Sequence, residues 1–271
     1  MIAMSLDARY ALLQRLARAA GALARDFWVR RASLVVEAKG PQDFVSRADR
    51  EVETFSRGEL AAAFPGDDFL GEETAAEFRG GAERVWIVDP IDGTSNFLRG
   101  IPYWNVSIAY AEDGVRTLGA VCDPPHGELF HARRGAGAWR TDAAGDTRLA
   151  AADTASLAGA FVAVGHHDRD ADARYDAIRR ALMDTGTAFR NFGSAALQLA
   201  HVADGRLDAF VELELSSWDA MAGLLLVEEA GGFAAPFPGP GGLTVKAPVV
   251  ATAPGIAAAM MAVVEANAPD A

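Results

Sequence analysis

The sequence is poor in the features that build several common classes of protein. Its 271 residues include one cysteine, Cys122, which excludes an intrachain disulfide and a zinc site made of cysteines. No apolar run reaches the ~20 residues of a membrane helix, and the formal net charge of −12 gives no basic surplus for nucleic acid or an anionic membrane. Because Asp7 and Arg9 interrupt any signal-peptide core, we expect a cytoplasmic protein with no membrane or nucleic-acid partner.

Several catalytic motifs are also missing. There is no G-x-S-x-G, no P-loop and no H-E-x-x-H. The glycines of Gly135-Ala136-Gly137 are followed by Arg140, where a dinucleotide-binding motif needs a third glycine, so they favour a hairpin. The adjacent His166 and His167 would point to opposite faces of a strand, which favours a structural role for the pair.

The pattern of apolar residues changes near the middle of the chain. Residues 1–150 predict helices over 5–36 and 48–64, followed by strands that include a hairpin at Asp113-Gly114. Residues 151–271 alternate short strands with helices, which is typical of an α/β region with a mixed sheet. We therefore predict an α/β protein with an N-terminal half that carries Asp49 and Glu72 and a C-terminal half that carries Glu212 and Asp219.

The segment from Asp89 to Phe97, which reads D-P-I-D-G-T-S-N-F, carries the strongest chemical signal. An apolar strand is expected to stop at Asp89, where Pro90 forces the chain out of the sheet. The carboxylates of Asp89 and Asp92, with the Ile91 carbonyl between them, are oxygen ligands that suit Mg²⁺ or Ca²⁺. A helix beginning after these residues would offer backbone N–H groups to a phosphate. A turn with a helix cap explains the residues equally well, so both interpretations stand.

Three further acidic residues lie at the ends of predicted elements. Glu72 follows a strand, at the end where α/β sheets bind ligands. Asp49 and Asp219 each lie at the start of a helix, where an aspartate is often only an N-cap.

Taken together, three separated motifs resemble the inositol monophosphatase family. They are the Gly71–Glu73 segment, the run from Trp86 to Phe97, and Trp218–Gly223 with Glu229–Gly232. The resemblance covers about Lys39 to Gly232. It implies a Mg²⁺-dependent, Li⁺-sensitive phosphomonoesterase with two to three metal ions, which is commonly a homodimer. The implied fold is a layered α+β arrangement, the αβαβα sandwich of the inositol monophosphatase and sugar phosphatase type.

The resemblance also implies roles for individual residues. Metal ligands would be Glu72, Asp89, the Ile91 carbonyl, Asp92 and Asp219, with Glu72 also reaching a weaker third ion. Asp49 and the Thr94 hydroxyl would orient the attacking water, while Gly93 and Thr94 would hold the phosphate through backbone amides. The substrate polyol would contact Asp92, Gly193, Ser194, Ala195 and Glu212.

The chain departs from the family pattern at positions outside the implied ligands. The loop from Lys39 to Asp43 is one residue shorter than in animal members, Ser46 replaces a frequent threonine, and Arg99 replaces a common histidine. The predicted activity is hydrolysis of a small polyol phosphate, with inositol 1-phosphate as the leading candidate. Histidinol phosphate, fructose 1,6-bisphosphate and a 3′-phosphoadenosine nucleotide are the alternative substrates, and a regulatory binding protein is the alternative class.

Overall fold

The computed structural model describes residues 5–33, 36–40, 43–166, 173–239 and 242–268. Residues 34–35 of the first predicted helix, residues 41–42 of the Lys39–Asp43 loop, and His167 lie outside the described residues. Within the described ranges the helices are α1 (Leu6–Val29), α2 (Arg47–Ala63), α3 (Thr94–Arg99), α4 (Ala173–Asp184), α5 (Ala195–Ala203), α6 (Ser217–Glu229) and α7 (Ala257–Asn267). The strands are β1 (Val36–Gly40), β2 (Asp43–Ser46), β3 (Asp68–Gly71), β4 (Arg84–Asp92), β5 (Asn105–Glu112), β6 (Val115–Asp123), β7 (Glu128–Arg133), β8 (Gly137–Asp142), β9 (Gly145–Arg148), β10 (Phe161–Val164), β11 (Ala188–Arg190), β12 (Ala209–Leu215), β13 (Phe233–Ala234) and β14 (Ala247–Thr252).

The strands form two large sheets and one hairpin. A seven-stranded sheet has the order β3-β4-β5-β6-β7-β8-β9, in which β3 and β4 are parallel and the other pairs are antiparallel. A five-stranded sheet has the order β11-β10-β12-β14-β13 and mixes parallel with antiparallel pairs. The mixed sheet predicted for the second half is therefore confirmed.

Helices and sheets alternate in five layers. Helices α1 and α2 pack on the outer face of the seven-stranded sheet, α5 and α6 lie between the two sheets, and α4 and α7 cover the five-stranded sheet. Among the described residues the buried apolar side chains form three groups: one between α1, α2 and the seven-stranded sheet, one around α5 and α6 between the two sheets, and one between the five-stranded sheet and α4 and α7. The layered αβαβα fold is confirmed, and both sheets pack on α6. The division near residue 150 stays a prediction.

The middle helices are apolar on every side because both of their faces are covered. In α6, the side chains of Leu224, Leu225 and Val227 are all fully buried. Gly223 lets α5 approach closely, since a Cβ atom there would lie 2.4 Å from the Leu199 Cβ. Among the described residues, no helix is long and apolar enough to cross a membrane.

The first helix is shorter than predicted. Helix α1 begins after Ser5, whose side chain accepts a hydrogen bond from the Ala8 N–H at 3.3 Å, and it ends at Val29 rather than residue 36. The last buried residue on its apolar stripe is Ala24. Beyond it Phe27 and Trp28 are only partly buried against the core, and the chain from Val36 pairs instead as a hairpin.

The strand before the central motif is longer than predicted. Strand β4 continues through Pro90 to Asp92, although the sequence predicts that it stops at Asp89. Its pairing with β5 shifts by one residue, since Asp89 lies opposite Ser107 and Asp92 lies opposite Asn105. A β-bulge leaves one residue without a ladder partner, and Pro90 is tolerated there because it has no N–H to donate.

Candidate active site

The bulge in β4 brings two carboxylates into one buried corner. Asp89 is 1% exposed, and its Oδ1 accepts a hydrogen bond from the Ile91 N–H at 2.9 Å. Asp219, at the start of α6, completes a group in which one carboxylate oxygen each of Asp89, Asp92 and Asp219 lies within 4.8 Å of the others. The Glu72 carboxylate also contacts Asp89. The structure therefore brings together four of the carboxylates that the sequence singled out.

The electrostatics of this group favour a bound cation. Burial raises the pKa of Asp89 well above its usual range, and the neighbouring carboxylates of Glu72, Asp92 and Asp219 raise it further. Burial, followed by the charge of Asp92, raises the pKa of Asp219 to about 7. Carboxylates that repel one another in a buried corner, with only oxygen donors, fit a hard divalent cation.

Asp92 is held in place by four hydrogen bonds. Its Oδ2 accepts from the Asn105 side chain at 2.7 Å, the Ser194 hydroxyl at 2.7 Å and the Ala196 N–H at 2.8 Å. Its Oδ1 accepts a longer bond of 3.2 Å from the Ala195 N–H. With Oδ2 taken by three donors, Oδ1 is the oxygen left for a cation. Ser194 and Ala195, predicted as substrate contacts, thus bind Asp92 in the structure.

Asp219 satisfies both interpretations that the sequence left open. Its Oδ2 accepts a hydrogen bond from the Ser216 N–H at 3.0 Å, as half of a capping box at the start of α6. The same carboxylate belongs to the group of three aspartates. Capping therefore orients the side chain toward the other carboxylates, and its role in metal binding stays a prediction.

Asp49 and Thr94 lie together beside this group. Asp49 is fully buried at the start of α2, where its Oδ2 accepts from the Ser46 N–H and hydroxyl at 2.8 and 2.7 Å. The Thr94 hydroxyl lies 3.4 Å from Asp49 Oδ1 and donates to the Ile91 carbonyl at 3.0 Å. Burial raises the pKa of Asp49 to about 6, which suits a group that exchanges a proton near neutral pH.

A cleft of about 310 Å³ opens above these groups. Gly93 lies at the floor of the cleft with a φ of 91°, a conformation that favours glycine. A Cβ atom at this position would lie 3.1 Å from the Gly193 carbonyl oxygen. The predicted residues that line the cleft are Glu72, Asp89, Ile91, Asp92, Gly93, Thr94, Gly193, Ser194, Ala195, Glu212 and Asp219.

Glu212, on β12 of the five-stranded sheet, also lines the cleft. Gly165 makes room for it, since a Cβ atom on Gly165 would lie 1.9 Å from Glu212 Oε2. Burial, with the charges of Asp219 and Asp92, raises the pKa of Glu212 to about 8. This carboxylate is therefore placed to accept hydrogen bonds from a polar ligand in the cleft.

Sequence reasoning missed several residues of the cleft. His166 lines it and stacks on Tyr175 with ring centroids 4.2 Å apart, while Asn191 and Gln198 form part of the wall. Asn191 directly follows β11 and His166 lies two residues after β10, so the rule that ligands bind at the carboxyl ends of strands could have found them. The structural role predicted for the two histidines stays a prediction, because His167 lies outside the described residues.

The segment from Glu229 to Gly232 serves packing rather than the cleft. Glu229 accepts hydrogen bonds from the N–H groups of Gly135 and Gly137, both at 2.8 Å, and so fastens the β7–β8 turn to the end of α6. Gly232 approaches β14 closely, since a Cβ atom there would lie 3.0 Å from the Thr252 carbonyl.

Comparison with known proteins agrees with this geometry. Residues 5–267 match the profile of the inositol monophosphatase family. The chain is 43% identical over 226 residues to the inositol-1-monophosphatase of Rhizobium meliloti, covering 82% of each chain. It is 37% identical to the Nus factor SuhB of Xylella fastidiosa, covering 84% of this chain and 82% of that one. The solved structure of the extragenic suppressor protein suhB from Bartonella henselae superposes with a TM-score of 0.85 at 34% identity, covering 96% and 99%.

The family match and the named relatives define a phosphatase with a layered α+β fold, whose carboxylate group could hold metal ions. Within that class, the chain belongs to the inositol monophosphatase family.

Proposed function

We propose that this protein hydrolyses a small polyol phosphate monoester with Mg²⁺, and that inositol 1-phosphate is its substrate. The observation that carries the proposal is the buried group of Asp89, Asp92 and Asp219 beside a cleft that also holds Glu212. The relative from Rhizobium meliloti is named inositol-1-monophosphatase, and this name supports the choice of substrate.

Two to three Mg²⁺ ions fit the oxygen donors of the site. Glu72, Asp89 and the Ile91 carbonyl would hold the first ion, Asp92 and Asp219 would join Asp89 around the second, and Glu72 would also reach a weaker third. When bound, such ions make water more acidic and neutralise charge on the phosphoryl oxygens. The Thr94 hydroxyl uses one lone pair of the Ile91 carbonyl, which leaves the other for a ligand.

The remaining residues orient the reactants. Asp49 and Thr94 hold the attacking water in line with phosphorus, and Asp49 Oδ1 takes up its proton. The raised pKa of Asp49 supports this role. Backbone N–H groups of Gly93 and Thr94 bind phosphate oxygens at the start of α3.

The polyol binds to the part of the cleft that Glu212 lines. Glu212 accepts hydrogen bonds from its hydroxyl groups, and Asp92, Gly193, Ser194 and Ala195 line the side nearer the metals. Because Asp92 Oδ2 is already saturated by three donors, its contact with the polyol would run through Oδ1 or through the neighbouring backbone.

A phosphate-release screen tests the proposal. Inositol 1-phosphate, histidinol phosphate, fructose 1,6-bisphosphate and 3′-phosphoadenosine 5′-phosphate are compared at equal concentration with Mg²⁺, and Li⁺ is added as an inhibitor. We expect the highest kcat/KM for inositol 1-phosphate. A higher value for another ester would reassign the substrate, and no release from any ester would refute the activity.

Relatives named Nus factor SuhB favour a second candidate role, as a regulatory binding protein. Pull-down from a bacterial lysate with wild-type protein and with Asp89→Asn separates the two roles, because a partner that binds both does not depend on catalysis. We also propose that the protein is cytoplasmic and that it forms a homodimer. Light scattering on the purified protein tests the homodimer.

A further inference from the structure

We propose that Glu53, which no part of the sequence analysis singled out, is a positioning residue that fixes Glu72 for metal binding. The inference rests on the proposed metal-dependent activity. Glu53 lies on α2, one turn after Asp49, and it is only 2% exposed. Glu53 is not one of the carboxylates that converge at the end of β4.

Both oxygens of Glu53 bind the chain that follows Glu72. Its Oε2 accepts a hydrogen bond from the Glu73 N–H at 2.8 Å, and its Oε1 accepts one from the Thr74 hydroxyl at 2.7 Å. On the other side, the Glu72 N–H donates to the Val88 carbonyl at 3.1 Å, next to Asp89. The backbone of Glu72 is therefore held from two directions.

The residue before Glu72 is shaped for this contact. A Cβ atom on Gly71 would lie 2.4 Å from the carboxylate carbon and from Oε2 of Glu53. Only glycine lets β3 pass this close to the Glu53 carboxylate. The close approach then places Glu73 and Thr74 within hydrogen-bond distance.

A buried carboxylate is a poor way to stabilise a helix against a sheet. Burial raises the pKa of Glu53, and the hydrogen bonds from Thr74 and Glu73 oppose that rise. An apolar side chain would fill the space without the cost of desolvating a charge, but it would leave the Glu73 N–H without an acceptor. The two hydrogen bonds that Glu53 accepts from the loop after β3 explain why a carboxylate is buried at this position.

Helix α2 thereby connects two parts of the site. Asp49 and Glu53 lie four residues apart and so share one face of the helix. One contacts Thr94 and the other holds the loop after β3. The rigid helix thus fixes the position of Glu72 relative to the Asp49–Thr94 pair.

Two substitutions of Glu53 separate positioning from direct chemistry. In Glu53→Gln, the amide oxygen can accept from the Glu73 N–H, and the amide nitrogen can donate to the Thr74 hydroxyl. We expect this variant to keep near-wild-type metal affinity. Glu53→Ala removes both bonds, and we expect its metal affinity to fall about 10- to 100-fold, as for other residues that support a ligand. Glu59→Gln, on an exposed turn of the same helix, is the matched control.

The measurements are Mn²⁺ binding by electron paramagnetic resonance, the Mg²⁺ midpoint of phosphate release, and melting of the metal-free protein. Thr74→Val, which removes one of the two bonds, should weaken Mn²⁺ binding in the same direction but less. It also tests the proposal if Glu53→Ala does not fold. Combined with Glu72→Gln, Glu53→Ala should cause no further loss of Mn²⁺ affinity, since Glu53 acts through Glu72.

Several outcomes would overturn the proposal. Lower melting temperatures with unchanged Mn²⁺ affinity in Glu53→Ala and Thr74→Val would reduce Glu53 to a structural residue. Equal damage by glutamine and alanine would make Glu53 a ligand or a base. If wild-type protein binds Mn²⁺ but releases no phosphate, the proposed function fails, and the Mn²⁺ comparison still decides the role of Glu53.

Discussion

Within the described ranges, two groups of carboxylate and histidine side chains have spacing that could hold a metal ion, and they differ in how their charge is balanced. One consists of Asp89, Asp92 and Asp219, and the other of Asp123, Glu128 and His201. In the second group, Arg206 donates to Glu128 at 2.7 Å, and His126 lies 2.8 Å from Asp123. Among the described residues, no salt bridge from a cationic side chain reaches the three aspartates of the first group.

The difference shows in the pKa of Glu128 but not in that of Asp123, which burial raises despite the opposing charge and hydrogen bonds of His126. Burial tends to raise the pKa of Glu128, but hydrogen bonding and charge from Arg206 outweigh burial, and the pKa is lowered. The pKa values of Asp89 and Asp219 are raised, because burial and neighbouring carboxylates act in the same direction. The spacing of ligand atoms is therefore not enough to identify a metal site. The absence of a salt bridge in the described part of the chain is the stronger signal, since the charge of Lys246 lowers the pKa of Asp219 without forming one, and burial and Asp92 outweigh it.

Removing a carboxylate from each group should give the largest contrast. Asp89→Asn should lower turnover by orders of magnitude, more than the ~10- to 100-fold typical of residues behind the ligands, because an amide is a poor substitute for an anionic ligand. Glu128→Gln should leave turnover and the Mg²⁺ midpoint unchanged. Phosphate release across a Mg²⁺ titration measures both, and equal effects of the two substitutions would remove the distinction.

Asp219 offers a sharper comparison, because asparagine caps a helix about as well as aspartate. Asp219→Asn should therefore keep α6 intact and melt at a similar or higher temperature without metal, since one repelling charge is gone. Turnover at saturating substrate should still fall by orders of magnitude. Turnover and melting are measured on one preparation, and near-normal turnover would reduce Asp219 to a cap.

Glu212 should show a smaller effect that depends on the substrate. Above about pH 8, where Glu212 is ionised, Glu212→Gln should raise KM for inositol 1-phosphate several-fold, since a hydrogen bond to a charged group contributes about 1.5–3 kcal/mol and one between neutral groups about 0.5–1.5 kcal/mol. KM for a phosphomonoester without hydroxyl groups should change little. Steady-state kinetics with both esters measure the ratio, and equal changes would mean that Glu212 does not contact the polyol.

The sequence predicted the carboxylates of the site but not the groups that hold them. Asp89, Asp92 and Glu72 are visible because each follows a run of apolar strand residues. Asn105 is visible only as a polar residue at the start of a strand, and its bond to Asp92 spans 13 residues. Glu53 is hidden for the same reason, because its partners Glu73 and Thr74 come from a loop 20 and 21 residues away.

Local patterns predicted most helices and strands and failed where pairing partners decide the structure. The hairpin turn was predicted correctly because Asp113 and Gly114 adopt φ of 49° and 75°, which the Asp-Gly pair favours. The predicted end of β4 was wrong, because the strand accommodates Pro90 in a bulge against β5. The strand β1 was not predicted, and the predicted helix overlapped it at Val36, since its partner β2 is not part of the local pattern.

The smallest expected effect is a change in the stability of the metal-free protein with pH. The folded-state pKa values of Asp219 and Glu212, about 7 and about 8, lie above the ordinary values of 3.8 and 4.5. The folded state thus binds more protons than the unfolded chain between these values. The stability from these groups is full below about pH 4 and is lost as the pH rises through the folded-state values.

We therefore expect the metal-free melting temperature to fall by at least several degrees between about pH 5 and 8, since one pKa unit corresponds to ~1.4 kcal/mol and ~1 kcal/mol shifts Tm by about 2–4 °C in a chain of this size. The contribution of Glu128 to stability changes with pH in the opposite direction, because its pKa is lowered in the folded state. It stabilises the folded state above its ordinary pKa, and this stabilisation is lost as the pH falls. Glu128→Gln should leave the decline above pH 6 unchanged, whereas Asp219→Asn and Glu212→Gln should flatten it. Saturating Mg²⁺ should abolish the decline, since a bound cation stabilises the ionised carboxylates. Scanning calorimetry at several pH values, with EDTA and with Mg²⁺, measures these slopes. A metal-free protein that becomes more stable from pH 5 to 8 would contradict the uncompensated charge on which the comparison of the two groups depends.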